Sequence, residues 1–231
     1  ADNKDPVTED LRFSGLKLSN VSDSRLENIT VINTINGEHS QQVNPAGGIF
    51  FTNNCVNINC YTLNAYNNNL SGIIIHESQK IRIFGSITSN NLGSGITSKN
   101  SDQCEFYNII SFDNGFQNFL HNSDGTLKRY SNISINGENC IVNNVTTYNC
   151  TGSGLNIGHD NEGSKANFTI VDDVESYFNG LDGITIRNSG YVELSNIDLH
   201  HNRRNNLLLE DSTYHVQINH AKFYGYYDTL G

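Results

Sequence analysis

Short runs that alternate apolar and polar residues recur along this chain at nearly constant spacing. Each opens on a Gly or Asn followed by an apolar-led triplet and then polar residues, as in Gly72-Ile73-Ile74-Ile75-His76 and Gly183-Ile184-Thr185-Ile186-Arg187. Such starts fall at Gly15, Gly48, Gly72, Gly95, Asn118, Gly154, Gly183 and Asn206, at intervals of 33, 24, 23, 23, 36, 29 and 23 residues. A base period near 23 with three longer intervals is a repeat carrying loops in some of its units. A second run follows each start, as in Ile81-Arg82-Ile83 and Val192-Glu193-Leu194, and several units add a third, such as Ile197-Asp198-Leu199. Period two over so few residues is the pattern of strands with one buried face. The Asn, Gly and Ser between the runs leave no room for helices.

Units this alike bury their apolar faces by stacking, which pairs every strand with its copy in the units before and after. The pattern therefore predicts an all-β chain, a right-handed parallel β-helix of about eight coils; the right-handed form is the usual one for such connections. Residues 1–231 read as one such domain, with 1–14 an irregular lead-in. A column of Asn44, Asn68, Asn91, Asn114, Cys150, Asn179 and Asn202, four residues before successive starts, predicts amides hydrogen-bonded from coil to coil. Loops are expected at 34–47, 123–136 and 159–167, the last two leaving the first strand on the same side. The chain stops where a ninth coil would begin and shows no polar cap, which suggests a fragment, a homo-oligomer or a missing neighbouring domain.

Composition narrows the choice of partner. The net charge of -10 argues against nucleic acid, and an acidic polymer would need local Lys and Arg or a bridging cation. There is no apolar run long enough for membrane insertion. Five cysteines are odd in number and have no metal-site spacing. Cys104 and Cys140 open the second strand of successive coils and are expected as stacked buried thiols, with a disulfide between them as the alternative.

The loops point to the outer face of the first-strand sheet as a groove. With the first residue of each strand inward, the fourth points outward, giving the column Ser19, Thr52, His76, Lys99, Asn122, Gly158, Arg187, Glu210. The second-position column adds Lys17, Phe50, Ile74, Thr97, Leu120, Asn156, Thr185 and Leu208, a mixed platform suited to sugar rings. His76 and Lys99 are column neighbours, about 4.8 Å apart. Two cationic groups that close depress each other's pKa and leave one neutral as a base. A neutral base beside a cation suits removal of a proton next to a carboxylate. Catalytic candidates are thus His76 as base, Lys99 as charge stabiliser and Tyr130 as proton donor. Glu77, Asn122, Asn156, Arg187, Lys128 and Arg129 are candidates for substrate binding, the last two in a loop over the groove. The competing reading of the same column is a solvated strand face. Asp160 and Glu162 could offer oxygen ligands to Ca²⁺, the one cofactor the sequence raises.

With these residues in hand, the chain resembles the catalytic β-helix of the mannuronan C5-epimerases, within the wider pectate-lyase-like group, over roughly residues 70–220. The resemblance lies in SGIIIHES, where the family has a Gly-x-x-x-His-Glu strand, and in the lengthened coil that begins GLNIGHDNEG. His76 and Glu77 fall on the family's His-Glu pair, whose His belongs to the catalytic set. The family's Tyr before the strand Gly is Ser71 here, its Asp two residues before the His is Ile74, and its acidic residue one coil on is Lys99. A fainter likeness to polygalacturonases at CTGSGLNIG and GITIRNS would put their paired aspartates on Gln117 and Asn118. The resemblance implies an extracellular or surface protein that acts on a uronate-containing polysaccharide by C5 proton abstraction, with β-elimination or epimerisation as the outcome. A non-catalytic glycan-binding or structural β-helix, such as part of a phage tailspike or adhesin, is the alternative.

Overall fold

The computed structural model describes residues 14–34, 47–116, 130–158 and 165–225. Each coil supplies a short strand and then a longer one. The first four coils run β1 (Leu16–Ser19) and β2 (Ser22–Ile32), β3 (Ile49–Thr52) and β4 (Val56–Tyr66), β5 (Ile73–His76) with β6 (Gln79–Phe84) and β7 (Ile87–Ser89), then β8 (Ile96–Lys99) and β9 (Glu105–Phe112). The last four run β10 (Ile133–Asn136) and β11 (Ile141–Tyr148), β12 (Leu155–Ile157) and β13 (Ile170–Tyr177), β14 (Ile184–Arg187) and β15 (Gly190–His200), β16 (Leu207–Glu210) and β17 (Tyr214–Tyr224). The short strands form an eight-stranded sheet in the order β1-β3-β5-β8-β10-β12-β14-β16. The long ones form a nine-stranded sheet, β17-β15-β13-β11-β9-β6-β4-β2, with β7 pairing β4 and β9. Every strand is parallel to its copies and in register, as in Ile73↔Ile96 and Val174↔Ile197. This is the right-handed parallel β-helix that the repeat predicts. Among the described residues no helix is long and apolar enough to cross a membrane.

Two features depart from the repeat as read from sequence. In every coil but the third the second and third runs merge into one bent strand, and in the third, where they stay separate as β6 and β7, both pair into the same sheet. The bend sits at a left-handed residue in each coil, Asn28 (φ 53), Thr62 (φ 56), Gly85 (φ 62), Asn108 (φ 56), Asn144 (φ 51), Asp173 (φ 54), Asn196 (φ 52) and His220 (φ 51). Asn, Asp and Gly reach that region at low cost, and the strand pairing skips the bend residue and resumes in register on its far side. The fifth coil is also out of phase with its expected start. Its first strand is β10, preceded by Asn132, not a strand after Asn118; β10 pairs Ile133↔Ile96 on one side and Ile133↔Leu155 on the other. Residues 117–129, outside the described residues, thus fall before the first strand of their coil in sequence, whereas 159–164, also outside them, fall after β12. The described residues next to the two insertions, Tyr130 before β10 and Gly158 after β12, therefore lie at opposite edges of the first sheet and not on the same side.

Inside, the first and third residues of the short strands meet the inward faces of the long ones. Ile49, Phe51, Ile73, Ile75, Ile96, Phe106, Ile133, Leu155 and Ile184 belong to one core cluster and are fully buried. The recurring Gly is a demand for space: a Cβ on Gly95 would stand 2.3 Å from Ser111 Oγ, and one on Gly154 2.1 Å from Ser176 Oγ. The amide column is hydrogen-bonded from coil to coil, Asn68 Nδ2 to Asn91 Oδ1 (2.8 Å), Asn91 Nδ2 to Asn114 Oδ1 (2.9 Å) and Asn179 Nδ2 to Asn202 Oδ1 (3.0 Å). Where Cys150 interrupts the column, Asn132 Nδ2 reaches Asn179 Oδ1 at 3.3 Å. In the first coil Thr34 Oγ1 donates to Asn68 Oδ1 at 2.9 Å; Asn44, expected in this column, lies outside the described residues. All five cysteines are buried free thiols, Cys104 and Cys140 included, so no disulfide joins that pair.

Candidate functional site

In-register parallel strands place equivalent side chains about 4.8 Å apart, so the fourth-position column becomes a row across the outer face of the first sheet. Its register is Ser19↔Thr52, His76↔Lys99, Lys99↔Asn136 and Arg187↔Glu210, with Gly158 just beyond β12. Asn136 occupies the place expected for Asn122, which lies outside the described residues, and it is 4% exposed. Asn136 and Ser134 are the site-face residues that sequence reasoning missed. The run Asn132-Ile133-Ser134-Ile135-Asn136 carries the signal, since it alternates more cleanly than Asn118-Phe119-Leu120-His121 and starts 22 residues before Gly154.

His76 is the third residue of this row, at the end of β5. Its side chain is 17% exposed, and Nε2 lies 4.0 Å from Glu77 Oε1. Burial is the leading cause that lowers its pKa below the ordinary imidazole value; the Glu77 carboxylate opposes this, and the Lys99 ammonium adds to it. The ring is therefore biased towards the neutral form, as expected, but desolvation does more of this than Lys99. Ser78 Oγ donates to the His76 carbonyl at 3.0 Å and the Glu77 N–H donates to the Lys99 carbonyl at 3.1 Å, which fixes the strand ends carrying the two side chains. Glu77 itself turns the chain at φ 48, where the matching residues of neighbouring coils are Asn53 and Asn100. Lys99 is exposed.

Further along the row Arg187 is ion-paired with Glu210, so its charge is already shared. The second-position row changes character along its length. Phe50 (6% exposed) and Ile74 (1%) are buried, which removes them from an open sugar platform; Lys17 Nζ lies 5.8 Å from the centre of the Phe50 ring. From the fourth coil on, half-buried Thr97, Ser134 and Asn156 give a hydrogen-bonding floor, and Asn156 Nδ2 donates to the Gly158 carbonyl at 2.8 Å. Thr185 is buried against Ser153 Oγ (3.0 Å) and Asp182 Oδ2 (3.2 Å). Asp182 itself is 1% exposed and accepts from Asn205 N and Nδ2, a structural role.

The structure brings His76, Glu77 and Lys99 together, with Asn156 and Arg187 along the same face. Tyr130 enters from the other edge: it precedes β10 by three residues, whereas His76 ends β5. The length of a four-residue strand, about 10 Å, separates those edges. Burial raises the Tyr130 phenol pKa and keeps it protonated. Lys128, Arg129, Asp160 and Glu162 lie outside the described residues. Among the described residues no three His, Cys, Asp or Glu side chains gather as a metal site.

Comparison with known proteins puts this face in context. No family model matches the chain, and no curated protein does. Among solved structures it is similar to the A-module of a mannuronan C-5 epimerase from Azotobacter vinelandii, with a TM-score of 0.72, 14% identity, and 88% of this chain matched to 53% of that one. It is also similar to a variant of a periplasmic alginate epimerase (TM-score 0.58, 18% identity, 78% of this chain and 41% of that one). A tailspike protein of an Escherichia coli bacteriophage matches at TM-score 0.53 and 10% identity, over 86% of this chain and 25% of that one. The chain thus spans about half the length of the epimerase module or less of the others. At these identities the likeness is one of fold: the chain is a parallel β-helix, similar in fold to those epimerase structures.

Proposed function

We propose that the outer face of the first sheet engages a uronate-containing polysaccharide and that His76 removes the proton at C5 of a bound sugar. The observation that carries this reading is the half-buried His76 ring, biased to the neutral form and one strand from the Lys99 ammonium. Nε2 takes the C5 proton, the electron pair moves into the adjoining carboxylate, and Lys99 offsets the charge that builds there. Return of a proton to the opposite face gives the epimer; expulsion of the 4-O-linked sugar gives the unsaturated product. Tyr130, protonated and approaching from the other edge, is the donor this reading assigns, since acid and base must address opposite faces of the ring. Asn156 and Glu77 orient the sugar hydroxyls. Arg187 binds a neighbouring carboxylate only by giving up part of its pairing with Glu210. Asn122, Lys128 and Arg129 remain candidates for binding, and Asp160 and Glu162 for Ca²⁺ at the loop. The setting is extracellular or at a cell or virion surface, where such polymers occur.

A second reading, a β-helix that binds a glycan without turning it over, is favoured by Ser71, Ile74 and Lys99 where the epimerase family has Tyr, Asp and an acidic residue, and by the likeness to a tailspike. Incubating alginate and polygalacturonate with the protein in deuterated water, with and without Ca²⁺, separates the two. Loss of the C5 proton signal by NMR is expected for catalysis, and His76→Ala, Lys99→Ala and Tyr130→Phe should each slow it by roughly 10²–10⁴-fold. Polymer binding without exchange would leave the second reading.

A further inference from the structure

A groove of about 610 Å³ lies at the corner that follows the row, not over the row itself. It runs between two outward columns of the sixth to eighth coils. One column is Phe168, Tyr191 and His215; the other includes Ile170, Glu193 and Gln217, and Asn139 closes the lower end. The rings of Phe168 and Tyr191 stack at 4.9 Å between centres and 8° between planes, and those of Tyr191 and His215 at 4.8 Å and 13°. All three residues have left-handed backbone, at φ 56, 54 and 50. The other coils fill this corner with Asp23, Asn57, Lys80, Gln103 and Asn139. Bulky aromatics are uncommon in that conformation. They nevertheless stand at three successive coils, with Phe168 50% and Tyr191 47% exposed.

The register column continues below Phe168 to Asn139, which has no ring. The stack therefore ends at Phe168, and both Phe168 and Asn139 line the groove. We infer that this corner is a second carbohydrate site, at which a pyranose ring of a neutral glycan adds to the end of the stack against Phe168, with its hydroxyls on Asn139, Glu193 and Gln217. The lining mixes ring faces and aliphatic carbon with amide and carboxylate groups, as an amphipathic sugar ring requires. Among the described residues it includes Glu193 and no Lys or Arg, so it disfavours carboxylate and phosphate ligands and favours uncharged sugars. The site is independent of the reading of His76 and stands if that reading fails. Phe178 and His201 put aromatic rings at another corner, also with left-handed backbone, but that corner does not line this groove.

The test titrates the isotope-labelled protein with cellohexaose, mannohexaose, maltohexaose and laminarihexaose, and with the hexamers of galacturonate and mannuronate, while following the ring signals of Phe168 and Tyr191. Saturable shifts with at least one neutral hexamer and none with the acidic ones are expected. Phe168→Asn and Tyr191→Asn should weaken that binding by about ten-fold or more. Because Asn suits a left-handed corner, these variants should hold or raise the Tm, whereas His76→Ala should leave this binding unchanged. Silence across the neutral panel, equal response to the acidic hexamers, or affinity that survives Phe168→Asn would overturn the proposal. A large fall in Tm without any glycan response would identify the stack as a structural brace alone.

Discussion

His76 differs from a surface histidine because the chain around it excludes enough water to disfavour the imidazolium. The native pKa lies below the ordinary 6.5, so between these two values the unfolded chain binds a proton that folded His76 refuses. Its contribution to stability is therefore complete above about pH 6.5 and declines as pH falls through that value towards the native pKa. An NMR titration should place the His76 midpoint below 6.5, with Glu77→Gln moving it lower still and Lys99→Ala moving it up. A midpoint at or above 6.5 would remove the bias towards a neutral base. The pair His76 and Lys99 was legible in sequence because strand register alone makes them neighbours. Desolvation as the leading cause was not, since burial depends on side chains from other coils.

At the scale of elements, the coil-to-coil amides link turns that the apolar pattern leaves unspecified. Asn91 is fully buried and accepts from the Asn68 backbone and side chain, while its own Nδ2 donates to the Ala65 and Asn114 oxygens. Asn91→Ala leaves these groups without partners, at about 1–3 kcal/mol for each buried group that stays unsatisfied. A total of about 3 kcal/mol or more corresponds to a Tm lower by roughly 6–12 °C in a chain of this size. Differential scanning calorimetry decides this, and a change of only a degree or two would mean that the turn re-forms around water. The same amide column was readable wherever coils lack insertions. It did not show that Thr34 also bonds Asn68, a contact that depends on strand pairing and not on spacing from the next Gly.

Across the whole molecule, burial is deep in the middle coils and shallow in the last. Leu194 is fully buried, whereas its register partner Ile218 is 40% exposed; Leu199 is likewise buried and its partner Phe223 is 47% exposed. Leu194→Ala should cost about 2–5 kcal/mol, as deletions in a packed core do. Ile218→Ala should cost less than half of that, because much of its surface is in water already. Urea midpoints of the two variants measure the difference. Equal losses would mean that Ile218 is covered in solution by some further surface.

What the sequence determined by itself was the repeat and its consequence. Alternation within each coil sets which side chains turn inward, and near-identical coils have no way to bury those side chains except by stacking in parallel. That reasoning uses only neighbours along the chain and the copy one period away, so it survives low complexity and short strands. Only the tertiary structure decided the phase of the fifth coil, the merging of two strand runs into one sheet, the burial of Phe50 and Ile74, and the appearance of Asn136 where Asn122 was expected. Each of these depends on which residues pair or pack across a loop of arbitrary length. A loop erases the periodic count, and the hydrogen bonds of the flanking coils restore it in space.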